Sequence, residues 1–189
     1  MQALFVAKRP FDPSAGAWNR YVTWSGLSQL NEVVSLDTML CPTVPEELTA
    51  ADWSYNVHAD YLAFFFRSLE YLRTRVAGNG RLNILAVLQN PTHSDVAAMS
   101  LPGFGFAGFD LVDVRSDVSA LTNCGGFEEV FKNAELSALG LLTDLTRAQQ
   151  VQASLRLQYP EESHAECHVW AIWRQRFPAA AAALTSACS

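Results

Sequence analysis

Two short stretches of this 189-residue chain combine residue types that could do chemistry. The first runs Ser119-Ala-Leu-Thr-Asn-Cys124-Gly-Gly-Phe-Glu-Glu129-Val-Phe131. An apolar run ends in a polar turn, two glycines follow, and a helix-like segment is expected to begin. Such a turn would place Cys124 at a helix N-terminus, where free backbone N–H groups stabilise a thiolate or an oxyanion. A cysteine nucleophile also needs a base, and His58, beside Asp60, is the first candidate; His93, His164 and His168 are others. Glu128 and Glu129 act against this reading, because they already compensate the dipole of the first helical turn.

The second stretch is His164-Ala-Glu-Cys167-His168, with three zinc-type ligands in five residues. On a helix the three would share a face; on a strand Cys167 would point away from both histidines. Val169-Trp-Ala-Ile-Trp173 favours a strand, so a compact metal site requires a turn here, plus a distant fourth ligand. The His-x-Glu triplet lacks the downstream Pro-Cys-x-x-Cys of zinc deaminases. Asp37, Asp110, Asp113 and Asp117 form a further acidic set at expected strand ends, suited to magnesium or to acid–base work. Gly103-x-Gly105-x-x-Gly108 has dinucleotide spacing, but Pro102 precedes it and a strand-like run follows, so a glycine-bearing turn or bulge is expected. Trp18, Tyr21 and Trp24 recur at steps of three and form either a binding platform or a set of anchors into the core.

The elements that must position these residues are uneven in clarity. Val57 to Ala77 carries Leu62, Phe65, Phe66, Leu69, Leu72 and Val76 at helical spacing, closed by Gly78-Asn-Gly80. Thr143-Asp144 caps a second helix, reaching about Leu157 and burying Ala148, Val151 and Leu155. Strands are expected at Gln2 to Ala7, Glu32 to Leu36, Leu82 to Leu88, Phe109 to Val114, Ser119 to Leu121 and His168 to Trp173, with Phe109 to Val114 at an edge. Pro10, Pro13, Gly16 and Gly26 mark residues 10–26 as a connection, and one helical turn is expected near Asp95 to Met99.

Together these predict one α+β domain over residues 1–177: a mixed or mostly antiparallel sheet of about five or six strands with two main helices packed on it. The Ala-rich tail, 178–189, is expected to fray. Half of the residues are hydrophobic and 17% are charged, which places the chain among core-rich folded proteins. A net charge of −6, with no basic surplus in either half, argues against nucleic acid as a partner. No apolar run approaches the roughly 20 residues that span a bilayer, so no membrane association is expected. Four irregularly spaced cysteines, without an export signal, read as reduced thiols in a cytoplasmic protein.

No complete catalytic set is visible and no cofactor is implied. The composition therefore points first to a non-catalytic binding module whose acidic, aromatic-bearing surface engages a basic protein, in the manner of small immunity or antitoxin proteins by analogy only. A cysteine-dependent hydrolase or transferase using Cys124 is the alternative. A zinc-stabilised domain built on His164, Cys167 and His168 is the third reading.

Overall fold

The computed structural model describes residues 2–11, 16–27, 30–55, 64–113, 118–122 and 126–176, without the side chains of residues 16–18 and 24. Five strands form one antiparallel sheet: β1 (Leu4–Lys8), β2 (Thr43–Val44), β3 (Asn83–Gln89), β4 (Phe104–Val112) and β5 (His168–Gln175), in spatial order β2-β1-β3-β5-β4. Among the described residues four helices accompany it: α1 (Gly16–Ser25), α2 (Leu69–Arg75), α3 (His93–Ala98) and α4 (Leu145–Gln158). The chain is an α+β protein, as its pattern of elements predicts.

The period of two along each strand divides the core between the two sheet faces. Phe5, Ala7, Ile84, Ala86, Leu88, Phe109, Leu111, Val169, Ala171 and Trp173 face the helices, where Leu72 of α2 and Leu145, Ala148, Val151 and Leu155 of α4 meet them. Val6, Leu85, Val87, Val112, Trp170 and Ile172 face the other way and are covered by Val34, Leu36, Phe65 and Leu141. Asp144 starts α4 by accepting the Arg147 N–H at 2.7 Å, and the three interior residues expected to be buried are buried. Truncating Leu155 to alanine would cost about 3 kcal/mol, the usual scale for a leucine lost from a tight core.

Several expectations are corrected. The helix expected over 57–77 is described only from Leu69 to Arg75, with Ser68 as its N-cap; residues 56–63 lie outside the described set. Before it, Phe66 exchanges two backbone hydrogen bonds with Phe5, each 2.8 Å, so this segment is extended. Extension suits the side chains. Phe65 stacks on Trp170 below the sheet, while Phe66 packs above it, and adjacent residues reach opposite faces only on extended backbone. Glu32 to Leu36 is not a strand of the sheet, because its N–H groups bond irregularly to Ala138 and Leu139 carbonyls. Residues 16–25 form a helix rather than a connection.

Lys8 continues β1 instead of ending it, fully buried, with Nζ donating to the Leu36 carbonyl at 2.8 Å and the Thr43 hydroxyl at 3.1 Å. The glycine-spaced stretch does hold a bulge, with the β4–β5 register shifting between Phe106 and Gly108. Gly108 has φ +144°, and a Cβ there would stand 2.6 Å from the Leu142 carbonyl oxygen. Only glycine fits that crossing.

Candidate functional site

Of the sequence's acidic set, Asp110 on β4, Asp113 just after it and Asp37 are buried, and Asp117 lies outside the described residues. Asp110 points to the loop-covered face, fully buried. Its carboxylate accepts the Ser35 hydroxyl at 2.6 Å, the Ser119 hydroxyl at 2.5 Å, and the N–H groups of Leu36 and Leu111 at 2.9 Å each. Each serine oxygen in turn accepts a backbone N–H, from Asp37 at 2.9 Å and from Leu121 at 3.1 Å, which leaves the hydroxyl proton for Asp110. Burial raises the Asp110 pKa against these bonds, and the nearby Asp37 adds to the rise.

Asp37 holds its own turn through the N–H groups of Met39 and Leu40 and reaches the Ser119 N–H at 3.1 Å and the Thr122 hydroxyl at 3.5 Å. The two aspartates therefore tie residues 35–37 to residues 119–122. Beside them, buried Asp113 accepts the Ser163 hydroxyl at 3.4 Å and lies 3.8 Å from His164 Nε2. His164 is buried with neither ring nitrogen hydrogen-bonded, and its ring meets Phe127 edge-on at 5.1 Å. Desolvation lowers its pKa, with Asp113 opposing.

On either side of residues 123–125, the Thr122 carbonyl accepts the Tyr21 hydroxyl at 2.9 Å and the Phe127 ring meets His164. Cys124 itself and His58 lie outside the described residues. One expectation about this segment is corrected: Gly126 to Val130 is a turn, not the first turn of a helix.

The zinc ligands expected from the sequence take three different environments. His164 sits on the 3-10 turn Ser163–Glu166, against Asp113. Cys167 is a buried free thiol whose pKa burial pushes up to about 12. His168 opens β5, and its Nδ1 lies 2.6 Å from Gln89 Nε2. Among the described residues, no group of three or more His, Cys, Asp or Glu side chains is arranged to hold a metal ion.

Of the aromatic row, Tyr21 is buried against Phe11, whereas the side chains of Trp18 and Trp24 lie outside the described set. Exposed aromatics occur elsewhere. A 3-10 turn, Asp52–Ser54, presents Trp53 with 60% of its surface exposed and leads to Tyr55 with 42%. Buried Asp52 fixes that turn. It accepts the Thr49 N–H and hydroxyl at 2.5 and 2.8 Å, the Tyr71 hydroxyl at 2.5 Å, and Arg75 Nε at 3.0 Å. Burial works to raise the Asp52 pKa, but these bonds outweigh it and hold the carboxyl well below the ordinary range. Tyr55 stacks on Tyr71 at 3.9 Å, and Arg75 also binds the Glu47 carbonyl at 3.1 Å, beside exposed Glu46 and Glu47. Sequence reasoning passed over Asp52, although Thr49-Ala-Ala-Asp52 has the spacing of a capping box.

No protein-family model, curated protein or solved structure matches this chain. Function must be argued from these side chains alone. Among the described residues, no helix is long and apolar enough to cross a membrane.

Proposed function

We propose that this chain is a non-catalytic, cytoplasmic protein-binding module whose acidic, aromatic surface engages a basic protein partner. The observation that carries the reading is the exposure of Trp53 and Tyr55 on a turn held by Asp52, whose partner Arg75 also binds the carbonyl of exposed Glu47. Tryptophan and tyrosine are the residues most enriched among binding hot spots, and a pre-formed display avoids the entropy of ordering on contact. The net charge of −6 favours encounter with basic surfaces. Free thiols at Cys41 and Cys167 suit a reducing compartment.

Binding to basic proteins, compared between the wild type and Trp53→Ala, tests this. Trp53→Ala should weaken the interaction by tenfold or more, and Glu46→Lys with Glu47→Lys should weaken it less and reduce its salt dependence. No basic partner above background, or a partner indifferent to Trp53, would overturn the proposal.

One observation favours a second reading, the cysteine-dependent enzyme. His164 pairs with Asp113 and touches Phe127, three residues beyond Cys124. On that reading Cys124 alkylates near neutral pH far faster than Cys41 and Cys167, whose thiols burial pushes up to about 12. Equal, slow labelling of all three would exclude it.

A further inference from the structure

At the end of the sheet where β3 leaves and β5 enters, a polar cleft of about 290 Å³ is lined by Asn90, Gln149, Gln152, Arg156, His168 and Val169. None of the six is acidic, in a chain with 19 Asp and Glu against 13 Lys and Arg. Three come from one stripe of α4, at i, i+3 and i+7.

Several of these side chains are held with their donors unspent. Arg156 Nε reaches the Ala165 carbonyl at 3.5 Å, and the guanidinium makes no ion pair among the described residues. Its two Nη groups are therefore left over. Gln152 donates one amide N–H to the Cys167 carbonyl at 2.7 Å. Asn90 stands at φ +45°, a left-handed conformation that asparagine tolerates best after glycine. It is clamped there by its N–H on the Val169 carbonyl at 2.7 Å and its Oδ1 accepting the Val169 N–H at 3.1 Å. With Oδ1 engaged by the strand, the Asn90 NH₂ is the group turned elsewhere. On the opposite wall, Gln89 Nε2 lies 2.6 Å from His168 Nδ1.

We infer that this cleft is a binding site for a small oxyanion, a carboxylate or phosphate group, received by the Arg156 fork with amide N–H groups of Asn90, Gln149 and Gln152 around it. Arginine pairs bidentately with such groups, and neutral amides complete the shell without competing negative charge. The site shares no residue with the Trp53 surface or with the Asp113–His164 pair, so it stands apart from the function proposed above.

Amide-resolved NMR titration tests it, using succinate and inorganic phosphate separately, with sodium chloride at matched ionic strength as the control. Saturable shifts at the Asn90, Gln149 and Gln152 side-chain amides are expected, with an affinity that falls at least tenfold in Arg156→Gln and is unchanged in Arg73→Gln on exposed α2. Response to succinate alone assigns a carboxylate site, and response to phosphate alone a phosphate site. Shifts reproduced by chloride, or retained in Arg156→Gln, would overturn the inference. Arg156 lies at the surface, so a spectrum otherwise matching the wild type shows that the variant is folded.

Discussion

Asp52 and Asp110 are both buried carboxylates with at least four hydrogen bonds, yet their environments move them in opposite directions. Asp52 has a guanidinium and a phenol aimed at it from α2, and Arg75 keeps part of its surface in water. Asp110 has only hydroxyls and backbone N–H groups, deep beneath the sheet, with Asp37 nearby. Hydrogen bonds do not repay the deep burial of the Asp110 charge; for Asp52, nearer the surface, the Tyr71 and Thr49 bonds do so, with Arg75 adding to them. The first pins a surface display in place, and the second knots two loops together in the interior.

Removing each carboxylate should separate the two most. Asp110→Ala strands two hydroxyls and two N–H groups in a dry interior and should cost about 4 kcal/mol, close to unfolding a domain of ordinary stability. Asp52→Ala should cost less, about 2–3 kcal/mol, because Arg75 and the Tyr71 hydroxyl can turn to water. Urea denaturation of both variants ranks them, and equal losses would mean that the interior knot is wetter than its burial implies.

The pH dependence should differ in sign. The folded pKa of Asp52 lies below the unfolded value, so its contribution is complete above the ordinary carboxylate range and is lost as pH falls. That of Asp110 lies above, so stability declines as pH rises from the ordinary carboxylate value through the raised folded one. Stability followed against pH should therefore lose some of its acid-side fall in Asp52→Asn. In Asp110→Asn the opposing slope should vanish instead. The smallest effect, a stability loss below that of Asp52→Ala in the same urea denaturation, is expected of Tyr71→Phe, which deletes one bond to Asp52 but keeps the stack on Tyr55. If that variant also weakens partner binding through Trp53, the turn's rigidity matters as well as its exposed ring.

Legibility followed the range of the forces involved. Helix α4 was readable to its buried residues because an aspartate cap and a three-and-four spacing are local signals. Strands β3 and β5 were readable because a continuous apolar run has few alternatives to a two-sided burial. The segment before α2 misled, since Phe65 and Phe66 fit a helical stripe as well as they fit extended backbone. Only the pairing of Phe66 with Phe5, over sixty residues away, makes it extended. Lys8 misled likewise: a lysine beside Arg9 and Pro10 reads as a strand end until Leu36 and Thr43 supply carbonyl and hydroxyl partners.

The candidate site divides along the same line. Asp37, Asp110, Asp113 and His164 were visible as chemically apt residues, and their types are a matter of sequence alone. Their grouping was not visible, because it depends on residues 35–37, 119–122 and 163–164 arriving at one end of β4. What the sequence by itself determined is the material of this protein: its acidic balance, its α+β class, α4 and the inner strands, all set by composition and by periods of two and 3.6 along the chain. What tertiary structure alone decided is which polar groups are dry and which aromatics are wet. Burial is a property of distant segments meeting, and no period within one segment encodes it.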